Sequence, residues 1–256
     1  MRTPFIAGNW KMNKTPSEAR ELVNELKKLV SEVEDVDMAV CPPAIDLPVV
    51  VDELADSDIM VGAQDMYWED SGSYTGEISP RMLNDLDIDY VIIGHSERRE
   101  LFHESDEDVN RKVKKALDSG LKPIICVGES LEERQAGQTK EKVSFQVKAA
   151  LAGVPANKLS EVTIAYEPLW AIGTGESASD EEAASTIDSI REVISEISPG
   201  AEQTMRIQYG GSVKPHNIEE FISHPTLDGA LVGGASLTAE SFAGVIKKCQ
   251  NRGQSH

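Results

Sequence analysis

Val162-Thr163-Ile164-Ala165-Tyr166-Glu167-Pro168-Leu169-Trp170-Ala171-Ile172-Gly173-Thr174-Gly175 reads as a strand, a carboxylate at the strand's end and a loop. Val162 to Ala165 is an apolar run of the length of a buried strand, and Ser179-Asp180-Glu181-Glu182 beyond the loop is an acidic helix start. Pro168 fixes its own φ and biases Glu167 toward extended backbone; a large indole follows, then two glycines flanking Thr174. A loop with a stiff entry, an apolar tip and a permissive exit suits closure over a small ligand while Glu167 does proton chemistry. An ordinary βα turn with a surface Glu is the other reading of this stretch, and the rest of the chain has to decide between them.

The same unit recurs on both sides. Phe5-Ile6-Ala7-Gly8-Asn9 reads as a first buried strand. Thr15-Pro16-Ser17-Glu18 then combines an N-cap, a Pro at the first helical position and a capping-box Glu, opening a helix with Leu22, Val23, Leu26, Leu29 and Val30 on one face. Further strands read at Met38 to Cys41, Ile59 to Gln64, Tyr90 to Gly94, Pro123 to Val127, Arg206 to Tyr209 and Ala230 to Val232. Helices read around Leu47 to Leu54, from Ser79-Pro80, from a Ser105 cap through Lys115, and from near Thr238. Strand and helix alternate in units of roughly thirty residues, the size of a βαβ module. Several strands are apolar throughout, as in a parallel sheet covered on both faces. A doubly wound open sheet is the competing architecture, but Gly8-Asn9-Trp10-Lys11-Met12 is not the dinucleotide fingerprint it would carry after its first strand. No linker, low-complexity tract or shift of composition divides the chain. The fold read is α/β, a closed parallel (β/α)8 barrel forming one domain over residues 1–256.

Composition narrows the partners. Asp and Glu number 44 against 25 Lys and Arg, a formal net charge of −19 that repels nucleic acid and anionic membranes. That field also repels a phosphorylated ligand at long range, so an anion site has to rely on local donors. No apolar run approaches the roughly 18 residues of a membrane span, and Met1-Arg2-Thr3-Pro4 does not begin a signal peptide, so a cytoplasmic location is expected. Cys41, Cys126 and Cys249 lie far apart, without zinc or redox spacing, and are expected to be reduced thiols.

In such a barrel the site is built from residues just past the C-terminal ends of the strands. Those positions hold Asn9 and Lys11, His95 in Gly94-His95-Ser96-Glu97-Arg98-Arg99, Glu167, Gly210-Gly211-Ser212 and Gly233-Gly234. Singly, each has a plain structural explanation: a surface lysine, a hydrogen-bonded histidine, tight turns. Together they supply a carboxylate base, an imidazole, a fixed cation and backbone donors for an oxyanion. Glycines let amide N–H groups approach a phosphate, and the loops after the seventh and eighth strands of this fold are a common phosphate cradle. Neither a metal-ligand cluster nor a nucleophile with an adjacent base stands out. The chemistry left is proton transfer next to a carbonyl on a small phosphorylated substrate.

Ala7-Gly8-Asn9-Trp10-Lys11-Met12-Asn13, Gly94 to Arg99, Tyr166 to Gly175, Tyr209-Gly210-Gly211-Ser212 and Leu231-Val232-Gly233-Gly234-Ala235-Ser236 closely resemble the signatures of the triosephosphate isomerase family, from the first strand to the last. The resemblance implies a TIM barrel that interconverts dihydroxyacetone phosphate and D-glyceraldehyde 3-phosphate through an enediolate, a step of glycolysis and gluconeogenesis, with no metal and no cofactor. It implies that Glu167 moves the proton and that His95 acts as a neutral electrophile, an arrangement for which this family is itself the standard example. Lys11 and Asn9 are implied to stabilise the developing charge, and Glu97 to be a nearby carboxylate with a lesser part in proton transfer. Phosphate would be held by N–H groups of Gly173, Ser212, Gly233 and Gly234. Pro168, Leu169, Trp170, Ala171, Ile172, Gly173, Thr174, Gly175, Glu176, Ser177 and Ala178 would form the closing lid, of which this family is again the familiar case.

The resemblance also implies a homodimer. The loop from Asp65 to Glu77 would insert into the neighbouring subunit, with Thr75 near the partner's Lys11, Gly76 and Glu77 at the contact, and Arg98 facing Glu77 of the other copy. Two residues depart from the family pattern. Glu176 stands where relatives often have lysine or an apolar residue and is expected to alter lid kinetics, and Asp65 stands where many have Asn and is expected to cost the interface loop a donor. Two other functions remain open at this level: a barrel aldolase using Lys11 as a Schiff base, and a catalytically silent barrel that binds a partner. A class I aldolase lysine belongs on the sixth strand, where this chain has Glu167, and a silent barrel is expected to have lost part of the catalytic set.

Overall fold

The computed structural model describes residues 2–171 and 178–250. In it the strands β1 (Phe5–Asn9), β2 (Asp37–Cys41), β3 (Ile59–Ala63), β4 (Tyr90–Ile93), β5 (Lys122–Val127), β6 (Thr163–Tyr166), β7 (Arg206–Tyr209) and β8 (Gly229–Val232) form one closed parallel barrel in chain order. Closure is made by β1 pairing with β8, Phe5 opposite Gly229 and Gly8 opposite Val232. The helices α1 (Pro16–Leu29), α2 (Leu47–Leu54), α3 (Pro80–Asp85), α4 (Ser96–Leu101), α5 (Asp106–Asp118), α6 (Leu131–Gln135), α7 (Thr139–Leu151), α8 (Asp180–Ile197), α9 (Ile218–Ser223) and α10 (Ala239–Lys248) connect the strands.

The uniformly apolar strands have a direct cause. Alternate residues serve two cores. Phe5, Ala7, Ala39, Cys41, Tyr90, Ile92, Ile124, Cys126, Ala165 and Leu231 pack together in one cluster, inside the barrel. Their neighbours Ile6, Met38, Val40, Val91, Ile93, Ile125, Ile164, Ile207 and Val232 pack outward with the helices. The end remote from the site is plugged by Arg206, which stacks over Phe5, donates to the Tyr90 hydroxyl at 2.9 Å and pairs with Asp37.

Helix starts follow their local signals. Thr15 with Glu18 forms the expected capping box of α1, and Ser105 with Asp108 and Ser179 with Glu182 do the same for α5 and α8. Strand ends differ by a residue from the reading of apolar runs. β6 extends through Tyr166 because that residue is in register with Val127 on one side and Tyr209 on the other. Glu167 therefore follows a strand that ends on a paired, buried tyrosine. The short helix α4, beginning immediately after β4, has no apolar periodicity to announce it.

Candidate active site

The sequence-predicted groups outside residues 172–177 meet at the C-terminal mouth of the barrel. β1 delivers Asn9 and, two residues on, Lys11 in the left-handed region at φ 54°. That uncommon conformation is held from two sides. The Lys11 N–H donates to Asn9 Oδ1 at 3.0 Å, and Gln64 Nε2 donates to the carbonyls of Lys11 (2.8 Å) and Cys41 (2.9 Å). β4 delivers His95, whose ring caps α4: Nδ1 accepts the Glu97 N–H at 3.2 Å. A nitrogen that accepts carries no proton, so the neutral ring bears its hydrogen on Nε2, the nitrogen 2.9 Å from Glu167 Oε1. The other Glu167 oxygen accepts the Ser96 N–H at 3.1 Å. Glu97 completes the set, its carboxylate 2.7 Å from Lys11 Nζ.

Burial on its own would raise the pKa of Glu167, which is 2% exposed, but the adjacent His95 ring and the Ser96 N–H outweigh burial and hold it below the usual carboxylate range. Burial works in the opposite sense on His95, and there the Glu167 carboxylate prevails, keeping the ring above its ordinary value. Each group is tuned by the other. Moving the carboxylate away would leave burial to favour the neutral imidazole.

These side chains look into a cavity of about 500 Å³ whose far wall is Gly210, Gly211, Ser212, Gly233 and Gly234. A Cβ on Gly234 would meet nothing within 4 Å, and one on Gly233 would come only to 3.7 Å from Lys11 Cε. Packing does not require glycine at either position. The bare backbone keeps open a space that side chains would fill, as an anion held by N–H groups needs. Gly210 is different: a Cβ there would press to 2.8 Å from Glu167 Cγ, so glycine leaves the carboxylate room.

Of the lid expected at 168–178, Ile172, Gly173, Thr174, Gly175, Glu176 and Ser177 lie outside the described residues. Its start is tied down. Trp170 Nε1 and the Tyr166 hydroxyl both donate to Glu129 Oε1 at 3.1 Å, the Leu169 N–H donates to the Glu129 carbonyl at 3.1 Å, and Arg134 stacks over the indole. Its other end, Ala178, is buried.

Thr75, Gly76 and Glu77 are exposed on a projecting loop stiffened by stacking of Tyr67 on Trp68 and by Tyr74 against Tyr67. Arg98 pairs within its own chain with Asp65 at 3.0 Å. Asp65 also accepts from Lys112 at 2.7 Å. Where a lost donor was expected, the Asp65 carboxylate accepts from Lys112 and pairs with Arg98.

Several residues at the site were not singled out by sequence. Gln64 clamps Lys11, Glu129 anchors the lid's start, and Gly128 and Gln146 lie behind Glu167; Lys214, His216 and Ser241 extend the cavity's rim. A glutamine or glutamate at a strand end was the available signal, but its partner lies on another strand. Among the described residues no group of three or more His, Cys, Asp or Glu is arranged to hold a metal ion, and no helix is long and apolar enough to cross a membrane.

The sequence model of the family described as "Triosephosphate isomerase" matches residues 4–249. Proteins named triosephosphate isomerase from Clostridium botulinum (strain Langeland) and Alkaliphilus oremlandii are each 53% identical over 247 residues, covering 96% of this chain and 99% of theirs. One from Carboxydothermus hydrogenoformans is 54% identical over 249 residues with the same coverage. With a match that begins before β1 and ends beyond α10, and identity above one half over nearly the whole length of both partners, the chain belongs to the triosephosphate isomerase family.

Proposed function

We propose that this chain interconverts dihydroxyacetone phosphate and D-glyceraldehyde 3-phosphate, a step of glycolysis and gluconeogenesis. The observation that carries the reading is Glu167: a buried carboxylate kept ionised, 2.9 Å from His95 and facing a cavity with a glycine-lined wall. The substrate phosphate would lie against the N–H groups of Ser212, Gly233 and Gly234, with Gly173 from the lid, and the carbonyl oxygen would point to Asn9, Lys11 and His95. Glu167 leaves His95 and Ser96 and takes the proton from the carbon beside the carbonyl. The C–H electron pair forms the carbon–carbon double bond, and negative charge passes to the carbonyl oxygen. Lys11 stabilises that charge, and His95 Nε2–H donates to the oxygen. His95 passes that proton to the oxygen and takes one from the neighbouring hydroxyl, so the charge moves to the second oxygen; return of the carbon proton from Glu167 to the neighbouring carbon then gives the isomer. Glu97, paired with Lys11 and capped onto His95 through its N–H, orients both. Closure of the lid over 168–178 excludes water from the enediolate.

A second copy of the chain is the proposed partner and the cytoplasm the proposed location. A notch of about 280 Å³ beside Lys11 and Met12 has the size of a loop tip, and Met12 and Ile45 next to it are apolar and exposed. Thr75, Gly76 and Glu77 of the other copy would fill it, with Glu77 reaching Arg98.

The test is the conversion of glyceraldehyde 3-phosphate by the purified chain and by Glu167→Gln prepared alongside. Loss of a positioned base is expected to cost at least roughly 10²–10⁴-fold in kcat. Equal rates in the two preparations would overturn the assignment of the base. Borohydride added with substrate is expected to leave the wild type unlabelled; labelling at Lys11 would favour the aldolase chemistry instead.

A further inference from the structure

The backbone of Glu167 is held from behind, away from the substrate cavity. Its N–H donates to the Val127 carbonyl at 2.8 Å, and the Leu169 N–H donates to the Glu129 carbonyl at 3.1 Å. Between these contacts lies Gly128, packed so closely that a Cβ on it would stand 1.8 Å from the Glu167 carbonyl oxygen and 2.9 Å from Leu169 Cδ1. Segments 127–129 and 167–169 therefore move together, and a shift of Gly128 reaches both the base and the start of the lid.

Gly128 is anchored in its turn by a side chain from a distant helix: its N–H donates to Gln146 Oε1 at 2.8 Å. Gln146 sits on the inner face of α7 among Val143, Val147 and Ala150 and is 4% exposed. An amide in an apolar helix stripe is costly to bury unless it is hydrogen-bonded, so packing alone does not account for it. Gln146 and Gly128 also wall a cavity of about 230 Å³ behind Glu167, shared with Ser96, Arg99, Cys126 and Lys142. Loss of the Gln146 oxygen would leave a buried N–H unpaired, with space beside it into which the segment can relax.

We propose that Gln146 is a positioning residue for the isomerisation: by fixing Gly128 it fixes the backbone from which the Glu167 carboxylate reaches the substrate. This rests on Glu167 being the base. The test compares Gln146→Met, which keeps length and loses the acceptor, with Gln146→Glu, which keeps an acceptor oxygen at the same length in a cavity that Arg99 and Lys142 also line.

Gln146→Met is expected to lower kcat by roughly 10- to 100-fold, the effect of a sub-ångström to ångström misplacement of a reacting group. KM is expected to stay within about twofold, since three of the four groups proposed to hold the phosphate, Ser212, Gly233 and Gly234, follow other strands. Amide exchange at Gly128 and Glu167 is expected to accelerate in Gln146→Met and to return to the wild-type rate in Gln146→Glu. Wild-type kcat in Gln146→Met overturns the proposal, as does accelerated exchange in both variants alike. Should the wild type not act on trioses, exchange decides alone: unchanged protection of Gly128 in Gln146→Met refutes the clamp, and accelerated exchange upholds it while the assignment of Glu167 falls.

Discussion

At the scale of single residues, Asp65 carries a cost that its ion pairs do not cover. Its carboxyl touches Lys112 and Arg98, but burial, aided by the nearby Glu104, wins and raises its pKa to about 6 from 3.8. Between those two values the folded chain binds the proton that the unfolded chain has released, so stability from this group is greatest below the lower value and is lost as pH rises through the upper one. Asp65→Asn is therefore expected to stabilise the protein above about pH 6, by something on the order of 1–3 kcal/mol. Lys112 retains Glu104 as a partner. Urea melts at about pH 7.5 and about pH 4.5, at one protein concentration, check the sign: the gain should shrink at the lower pH, and a larger gain there would contradict it.

At the scale of elements, the site depends on cross-links between strand ends. Gln64, just past β3, reaches back to the carbonyls of Lys11 and Cys41, tying the ends of β1, β2 and β3 together and holding Lys11 at positive φ. Such a conformation costs on the order of 1–3 kcal/mol and persists only when its surroundings impose it. Gln64→Leu removes both donors, and kcat is expected to fall roughly tenfold through misplacement of the Lys11 ammonium. Steady-state kinetics with a thermal melt separate this from unfolding; an unchanged kcat would show that β1 alone sets the lysine. On the opposite side of the mouth, Val127-Gly128-Glu129 does the same for β6, supporting Glu167 and Leu169 by backbone contacts and Trp170 by a carboxylate.

At the scale of the whole molecule, the net charge of −19 bears on assembly. Two such chains repel one another, while a single exposed pair such as Glu77 with Arg98 of the other copy contributes only about 0–1 kcal/mol. Screening should therefore tighten the proposed dimer. Sedimentation velocity across a salt series is expected to show dimers whose dissociation constant falls as salt rises; monomers throughout, or tighter association at low salt, would argue against the Asp65 to Glu77 loop as the docking element.

Much of the molecule is legible in the residues because its causes are local. The apolar runs of the strands, the capping boxes at Thr15 and Ser179, and the placement of Asn9 at a strand end and of His95 and Glu167 just past theirs all follow from neighbours a few positions away. Local signals were weaker where both faces of a strand are buried: the apolar run gives no alternation, so the end of β6 at Tyr166 and the division between the interior Ala165 and the outward Ile164 come from pairing with β5 and β7. The contacts that bring the chemistry together span far longer separations. Ser96 donates to a Glu167 oxygen 71 residues away, Gln64 to the Lys11 carbonyl 53 residues away, and β1 closes on β8 across almost the entire chain. A glutamine or glutamate has no local preference that names such a partner. Order of elements and the choice of candidate side chains were determined by the sequence alone; closure of the barrel, the tuning of His95 and Glu167 by each other, and the supports beneath them were decided by tertiary packing, which alone sets distances between residues remote in the chain.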